Sequence, residues 1–445
     1  MQYKCIPAGG SQPCGPCCLY RGCAYEGYMQ TSQQIERRNF HHLVLEVTWF
    51  GLSLAATSRF LSVFAIRLGA TPAELGWITS LPYIVLLGST ALSTRWRSRF
   101  PDSVKAIFWP SLGFRFVFLF PALTPLFPTH LQPAWLIASA ALAALPQGIS
   151  STIFVSIMRE AVPEERLTPL VSLRTIGMNI ALGIAALAFG FWLELAPFPL
   201  NYQIMFLAAF AVALLGQIQL MRVRVKPAPV IRQTGQQSTA SPLQSTVFQK
   251  TLFIGMIIHI GFFAILPVTP LHLVNSLGAT EGFMALFGIA EIGSAALISL
   301  FTARIVAKIG NRKMVGLSML VTALAALIMA TAQSLPLTLL GGALSGAAWT
   351  AATIGLFGIF VETTHDVPAA DMTRYTTLYH QLIFVAAFIG PMIGSNLANG
   401  GVNLVLVMAC GVVLRLLASG AVLSIDQIWG WIPPIQRARK AYRRL

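Results

Sequence analysis

Six ionisable side chains stand out among those inside long apolar stretches, and they are the residues of this chain best suited to chemistry. They are Glu46, Arg59, Arg115, His259, Glu291 and Arg415. A charge placed inside a membrane is costly, and residues of this kind usually bind a ligand or carry protons. Glu291 is the strongest candidate, because its short side chain cannot reach the membrane surface as a long basic one can.

No catalytic constellation accompanies these residues. The sequence shows no Ser/His/Asp arrangement and no metal-ligand spacing, so we expect neither an enzyme nor a bound metal or cofactor. Five of the six cysteines come before Ala24, and Cys14-Gly-Pro-Cys17 has the spacing of a redox dithiol. The βαβ context of a redox site and the paired ligands of a zinc site are both missing. We favour instead a mis-assigned start over residues 1–28, with translation from Met29.

Apolar runs of about 20 residues, long enough to cross a bilayer, must position these side chains. Hydrophobic residues make up 56% of the chain, charged residues only 10%, and the mean hydropathy is +0.70. Soluble proteins have about 25% charged residues. The net charge of +15 would fit nucleic-acid binding, but the basic residues sit in short clusters beside the apolar runs, as membrane anchoring requires. The sequence therefore predicts an all-α polytopic membrane protein with twelve transmembrane helices and no nucleic-acid partner.

Positive charge alternates along the connections between these runs. Every second connection is basic, whereas the intervening ones carry a single basic residue, Arg67. Basic connections stay on the cytoplasmic side. We therefore expect both termini in the cytoplasm, an even number of spans and a multi-pass protein of the bacterial inner membrane.

The two halves of the chain repeat each other. Leu68-Gly69-Ala70-Thr71 closes span 1, and Leu277-Gly278-Ala279-Thr280 closes span 7. Matching Val-Pro pairs, Val162-Pro163 and Val367-Pro368, follow spans 4 and 10. The predicted organisation is an N-terminal tail (1–40), a six-helix half (41–221), a cytoplasmic linker (222–250), a second six-helix half (251–425) and a basic tail (426–445).

Two parallel six-helix repeats of this kind resemble the Major Facilitator Superfamily. The connection after span 8 matches that family's Gly-x3-Asp-[Arg/Lys]-x-Gly-[Arg/Lys]-[Arg/Lys] motif at Lys308, Gly310 and Arg312, and the copy after span 2 retains only Arg99. The motif Asp, which in the family latches the halves on the cytoplasmic side, is missing from both copies. Asp102 or Glu160 is a candidate replacement.

The resemblance sorts the candidate residues by helix. It implies that spans 1, 4, 7 and 10 form the cavity centre, with spans 2, 5, 8 and 11 beside them. Arg59, His259 and Glu291 then lie on cavity helices, whereas Arg115 and Arg415 lie on peripheral helices and are interpreted as structural, pairing with helix carbonyls or reaching inward. Glu46 either faces the cavity or favours the positive N-terminus of its own helix. The further cavity candidates are Gln147, His272, Trp349, Thr350, Tyr379 and His380.

Prolines predict breaks in two cavity spans. Pro267 and Pro270 should interrupt span 7, and Gly390-Pro391 should interrupt span 11, because each Pro removes a backbone donor. Such breaks are tolerated where a helix lines a cavity or gate. Span 5 lacks the Gly-Pro motif that marks drug and proton antiporters of the resembling family.

We therefore expect a secondary active transporter that moves a small organic solute by alternating access, coupled to protons through Glu291, alone or with His259. Arg59 and His259 oppose Glu291, or two acids if Glu46 points inward, and this balance favours an anionic or amphipathic solute. The alternatives are a multidrug or lipid-like efflux pump, and a non-transporting sensor or assembly protein built on the same fold. The expected partners are the solute, the bilayer and the proton, and the expected oligomeric state is a monomer.

Overall fold

The apolar runs of the sequence become long helices. The computed structural model describes residues 17–225, 241–367 and 369–429, and these residues contain no strand. Twelve helices in this part of the chain are long and apolar enough to cross a membrane. The Cys14-Gly-Pro segment, the middle of the predicted linker and most of the predicted basic tail (430–445) lie outside the described residues.

The helices fall into two successive sets of six. The N-terminal half contains α1 (Cys17–Arg67), α2 (Pro72–Arg97), α3 (Ser103–Ala122), α4 (Gln132–Ala161), α5 (Glu164–Leu195) and α6 (Leu200–Met221). The C-terminal half contains α7 (Thr246–Phe263), α8 (Glu281–Ile309), α9 (Asn311–Thr331), α10 (Leu335–Thr363), α11 (Ala369–Asn399) and α12 (Leu404–Trp429). Buried apolar side chains form the packing core of each half.

The repeated tetrapeptide adopts the same structure in both halves. Gly69 and Gly278 have φ angles of +81° and +70°, in the left-handed region that favours glycine. Thr71 and Thr280 then cap α2 and α8, since each hydroxyl accepts a hydrogen bond from the backbone N–H three residues later. The repeat is therefore a helix–turn–helix connection used twice.

The seventh span is broken and the eleventh is not. Helix α7 ends at Phe263, and the span continues through a four-residue helix (Val268–Leu271) and a π-helical turn (His272–Ser276). The break predicted at Gly390-Pro391 does not occur, because α11 runs without interruption. The glycines there serve close packing against span 7: a Cβ placed on Gly394 would lie 1.9 Å from the backbone oxygen of Ala264.

The two halves meet at the end of the bundle where α1 ends and α2 begins, here named the closed end. Helix α2 packs on α11 and α5 packs on α8. Ring contacts join Trp77 to Phe388 and Tyr83 to Phe384 across the first of these pairs. The opposite end of the bundle is named the basic end. Among the described residues, α4 does not pack closely on α10 or α11.

Candidate solute cavity

A cavity of about 390 Å³ lies between the two halves. Its polar lining comes from both halves: Thr57, Ser58, Arg59, Ser62, Thr79, Tyr83, Thr269, Glu291, Ser345 and Arg415. Its apolar lining includes Phe262, Ile265, Leu266, Pro270, Phe287 and Met329. Ligand pockets range from about 300 to 1,000 Å³, so this one fits a small solute.

An ion pair crosses the cavity from one half to the other. A terminal nitrogen of Arg59 on α1 lies 2.5 Å from a carboxylate oxygen of Glu291 on α8. The two side chains are 20% and 26% exposed, so water or a solute in the cavity can reach the pair. Gly288 makes room for it, because a Cβ there would lie 2.8 Å from the Nε atom of Arg59. That Nε is buried and has no hydrogen-bond partner.

Arg415 enters the cavity wall from α12. It is only 2% exposed, and its terminal nitrogens donate to the backbone oxygens of Thr322 and Phe262 at 3.1 and 3.0 Å. Its guanidinium also stacks 5.0 Å from the centre of the Phe262 ring. Its Nε atom is buried and has no hydrogen-bond partner. Because Arg415 lines the cavity, helix α12, which the sequence-based prediction placed at the periphery, brings a cation to it.

Glu46 lies apart from the cavity lining, in a buried cluster of the N-terminal half. Its two carboxylate oxygens face Arg115 at 3.4 Å and Arg174 at 3.0 Å. Helix α1 begins at Cys17, so Glu46 is far from the helix N-terminus that one interpretation invoked. The cluster ties α1 to α3 and α5.

His259 belongs to an aromatic group behind the cavity wall. Its Nδ1 atom lies 2.7 Å from the backbone oxygen of Gly255, and the side chain is buried. Its ring stands edge-on to Trp349, which stacks on Phe262 with the ring centres 3.9 Å apart. Phe262 lines the cavity, whereas His259 and Trp349 are not among its lining residues.

The remaining cavity candidates do not line this space. Gln147 and Thr350 are half-buried, and the backbone oxygen of Thr350 accepts a hydrogen bond from Thr353. Tyr379 packs on Phe360 in the core of the C-terminal half. His380 is exposed towards the basic end.

The predicted gating-loop residues lie at the basic end. Arg99 and Lys308 are exposed there, and Arg312 is half-buried. Gly310 ends α8 with a φ angle of +82°. Asp102 caps α3 by accepting from the backbone N–H of Lys105 at 2.7 Å.

Each half carries its own tie at this end. Glu160 accepts a hydrogen bond from Ser103 at 2.7 Å, which holds α4 to α3. In the second half the amide of Asn311 donates to Glu362 at 2.9 Å and holds α9 to α10. Each of these contacts joins two helices of the same half, and neither connects the two halves.

A polar cluster at the closed end was missed by reasoning from the sequence. Glu281 accepts hydrogen bonds from Arg67 at 2.9 Å and from the hydroxyl of Tyr202 at 3.0 Å, and Glu194 accepts from the backbone N–H of Gly282 at 2.9 Å. All three contacts join the two halves. The signal available in the sequence was Arg67, the single basic residue in connections otherwise free of positive charge.

The family model of the Major Facilitator Superfamily matches residues 48–391. The chain belongs to the Major Facilitator Superfamily. No curated protein matches this chain in sequence.

Solved transporter structures share the fold of this Major Facilitator Superfamily member. A variant of the nucleoside transporter NupG aligns with a TM-score of 0.69 at 13% identity, over 88% of this chain and 99% of the other. A bacterial homolog of the human lysosomal transporter Spinster gives 0.69 at 14% identity, over 88% and 98%. A D-xylose–proton symporter gives 0.65 at 16% identity, over 89% and 98%. Identities this low establish the fold and leave the solute open.

Proposed function

We propose that this protein is a secondary active transporter that moves a small organic solute by alternating access, with Glu291 as the proton-coupling residue. The observation that carries the proposal is the Arg59–Glu291 ion pair, which bridges the two halves inside the cavity. A carboxylate in such a pair gains a proton more easily when its cationic partner is drawn away. Binding of a solute by Arg59 and protonation of Glu291 would then favour each other.

The orientation of the bundle follows from its charges. The basic connections support an orientation with the basic end in the cytoplasm and the closed end outside. Helix packing between the halves at the closed end then corresponds to an inward-facing state. The Spinster homolog, which is similar in fold, also has an inward-facing conformation in its solved structure. In this proposal the protein works as a monomer in the bacterial inner membrane.

The test measures proton movement into liposomes that contain the purified protein and a pH-sensitive dye. The probes are nucleosides, D-xylose, dipeptides, aromatic carboxylates and hydrophobic cations, added one class at a time. We expect one class to drive proton entry with the wild type and none to do so with Glu291→Gln. Exchange of that solute across the membrane should persist in the variant, because exchange needs no net proton transfer.

The matched control is Asp366→Asn, which neutralises an acid that is 82% exposed in the loop after α10. It should behave as the wild type. Proton entry that survives Glu291→Gln would refute the coupling role of this residue. Proton entry with hydrophobic cations alone would favour efflux of drugs, and binding or movement of no probe would favour a non-transporting protein.

A further inference from the structure

We infer that Arg415 anchors the anionic group of the solute, so that the cavity selects an organic monoanion with an apolar body. This inference rests on the proposed function and names the solute class for the same cavity. It concerns a residue that sequence reasoning interpreted as structural.

The N-terminal half supplies an internal comparison. Arg115 and Arg415 are each 2% exposed, and each donates to a backbone oxygen of a neighbouring helix, Ala213 for the first and Thr322 for the second. Arg115 also faces the carboxylate of Glu46. Arg415 has no carboxylate at ion-pair distance among the described residues, and its Nε atom is unpartnered. A buried cation without a counter-ion is strongly disfavoured.

The difference between the two arginines matches their positions. Arg415 lines the cavity, whereas Arg115 does not. The acidic and basic side chains of the cavity lining are Arg59, Arg415 and Glu291, which together carry one excess positive charge. A solute with one negative charge would neutralise it.

The other residues of the cavity lining indicate that the body of the solute is apolar. The ring of Phe262 lies against Arg415, and Phe287, Ile265 and Met329 extend the apolar surface. Side chains of this kind bind the apolar part of a ligand while a few polar groups orient it. A cavity of about 390 Å³ fits a small aromatic or branched carboxylate.

The first experiment asks whether Arg415 serves binding or stability. We expect Arg415→Met to raise the melting temperature of the ligand-free protein by a few degrees, because an apolar side chain removes an uncompensated buried charge. Arg115→Met should lower it, because that change takes one of two cationic partners from Glu46. A lower melting temperature in both variants would mean that Arg415 is structural and would overturn the inference.

The second experiment measures stabilisation of the full-length protein in detergent by benzoate and phenylacetate, with benzamide, phenylacetamide and inorganic phosphate as matched probes. A ligand that binds the folded state raises the melting temperature. We expect shifts with the carboxylates alone, lost in Arg415→Met and kept in Lys105→Met, which removes an exposed cation at the basic end. Equal shifts with the amides or with phosphate, or none with either carboxylate, would overturn the inference.

A third variant decides the matter if Arg415→Met fails to fold. Glu291→Gln removes the acid of the cavity, so the carboxylates should bind roughly tenfold tighter, as expected when a like charge is removed. Unchanged or weaker binding would count against an anion site. Carboxylate binding without proton entry would refute the proposed coupling and leave the anion site standing. Proton entry driven by a neutral solute would refute the anion site and leave the proposed coupling standing.

Discussion

Arg59 and Glu291 form the contact on which the proposed mechanism depends. The pair is partly open to the cavity, so it escapes the full desolvation penalty of a buried ion pair. It also joins α1 to α8, and these helices belong to different halves. The pair must therefore change whenever the halves move apart at this level.

Exchanging the two charges tests this pair. Arg59→Glu and Glu291→Arg should each lower the melting temperature, and the double variant should recover most of the loss. We expect a coupling free energy of roughly 1–3 kcal/mol, as found for residues in direct contact. The measurement is a double-mutant cycle by thermal unfolding in detergent.

The Asp102–Lys105 pair is the control for this cycle. Its atoms are 3.6 Å apart and Lys105 is 69% exposed, so its coupling should not exceed about 0.5 kcal/mol. A coupling as small for Arg59 and Glu291 would contradict a contact between the halves.

The sequence drew attention to these residues but did not predict which residues they contact. Arg59 and Glu291 stand out by depth, but no pattern links positions 232 residues apart in the chain. For Arg415 the sequence identified the helix and not the direction of the side chain. Its reach to Phe262 depends on how α12 is rotated.

Among the helices, small residues decide where the halves can approach. Gly76 on α2 lies against α11: a Cβ there would be 2.0 Å from the hydroxyl of Ser395. Gly190 on α5 likewise lies against α8, where an added Cβ would be 2.7 Å from the Cβ atom of Ala285. These contacts let the helices close at one end of the bundle.

Gly76→Val should force α2 and α11 apart at the closed end, because overpacking a contact costs roughly 1–3 kcal/mol. Gly88→Val in the same helix is the control, since a Cβ at Gly88 meets no atom within 4 Å. Spin labels at Leu131 and Leu337, both exposed near the closed end, would report the separation in a variant without the native cysteines. Unchanged distances in Gly76→Val would contradict the assigned role of this contact.

Hydropathy predicted the number of helices, because twelve apolar runs are visible in the sequence. It could not predict their full length. Helix α1 begins at Cys17, long before the apolar run, since polar residues continue a helix once it has started. The unbroken α11 likewise depends on packing against the seventh span, which no local rule includes.

At the scale of the whole molecule, the cluster around Glu281 holds the closed end together. Arg67, Tyr202 and Glu281 bring the end of α1, the start of α6 and the start of α8 to one point. Glu194 adds a contact from α5 to the same turn. Opening of this end must break all of these bonds at once.

Glu281→Gln should therefore favour opening of the closed end. The ion pair with Arg67 is partly exposed and worth about 1 kcal/mol at most, which corresponds to roughly a fivefold change in the ratio of states. The Leu131–Leu337 label pair should gain a longer-distance population, and labels at Lys105 and Lys313 at the basic end should gain a shorter one. A change at one end without the other would contradict alternating access.

The excess positive charge of the cavity has an electrical consequence. In the inward-facing state this charge sits at the potential of the cytoplasm, and in the outward-facing state it would sit at the potential outside. A charge that crosses the whole field changes in energy by about 2.3 kcal/mol per 100 mV. An inside-negative voltage would thus hold the empty carrier inward. A bound monoanion would cancel the excess charge while Glu291 is ionised, and protonation of Glu291 would restore it, so the carrier loaded with both would again respond to voltage.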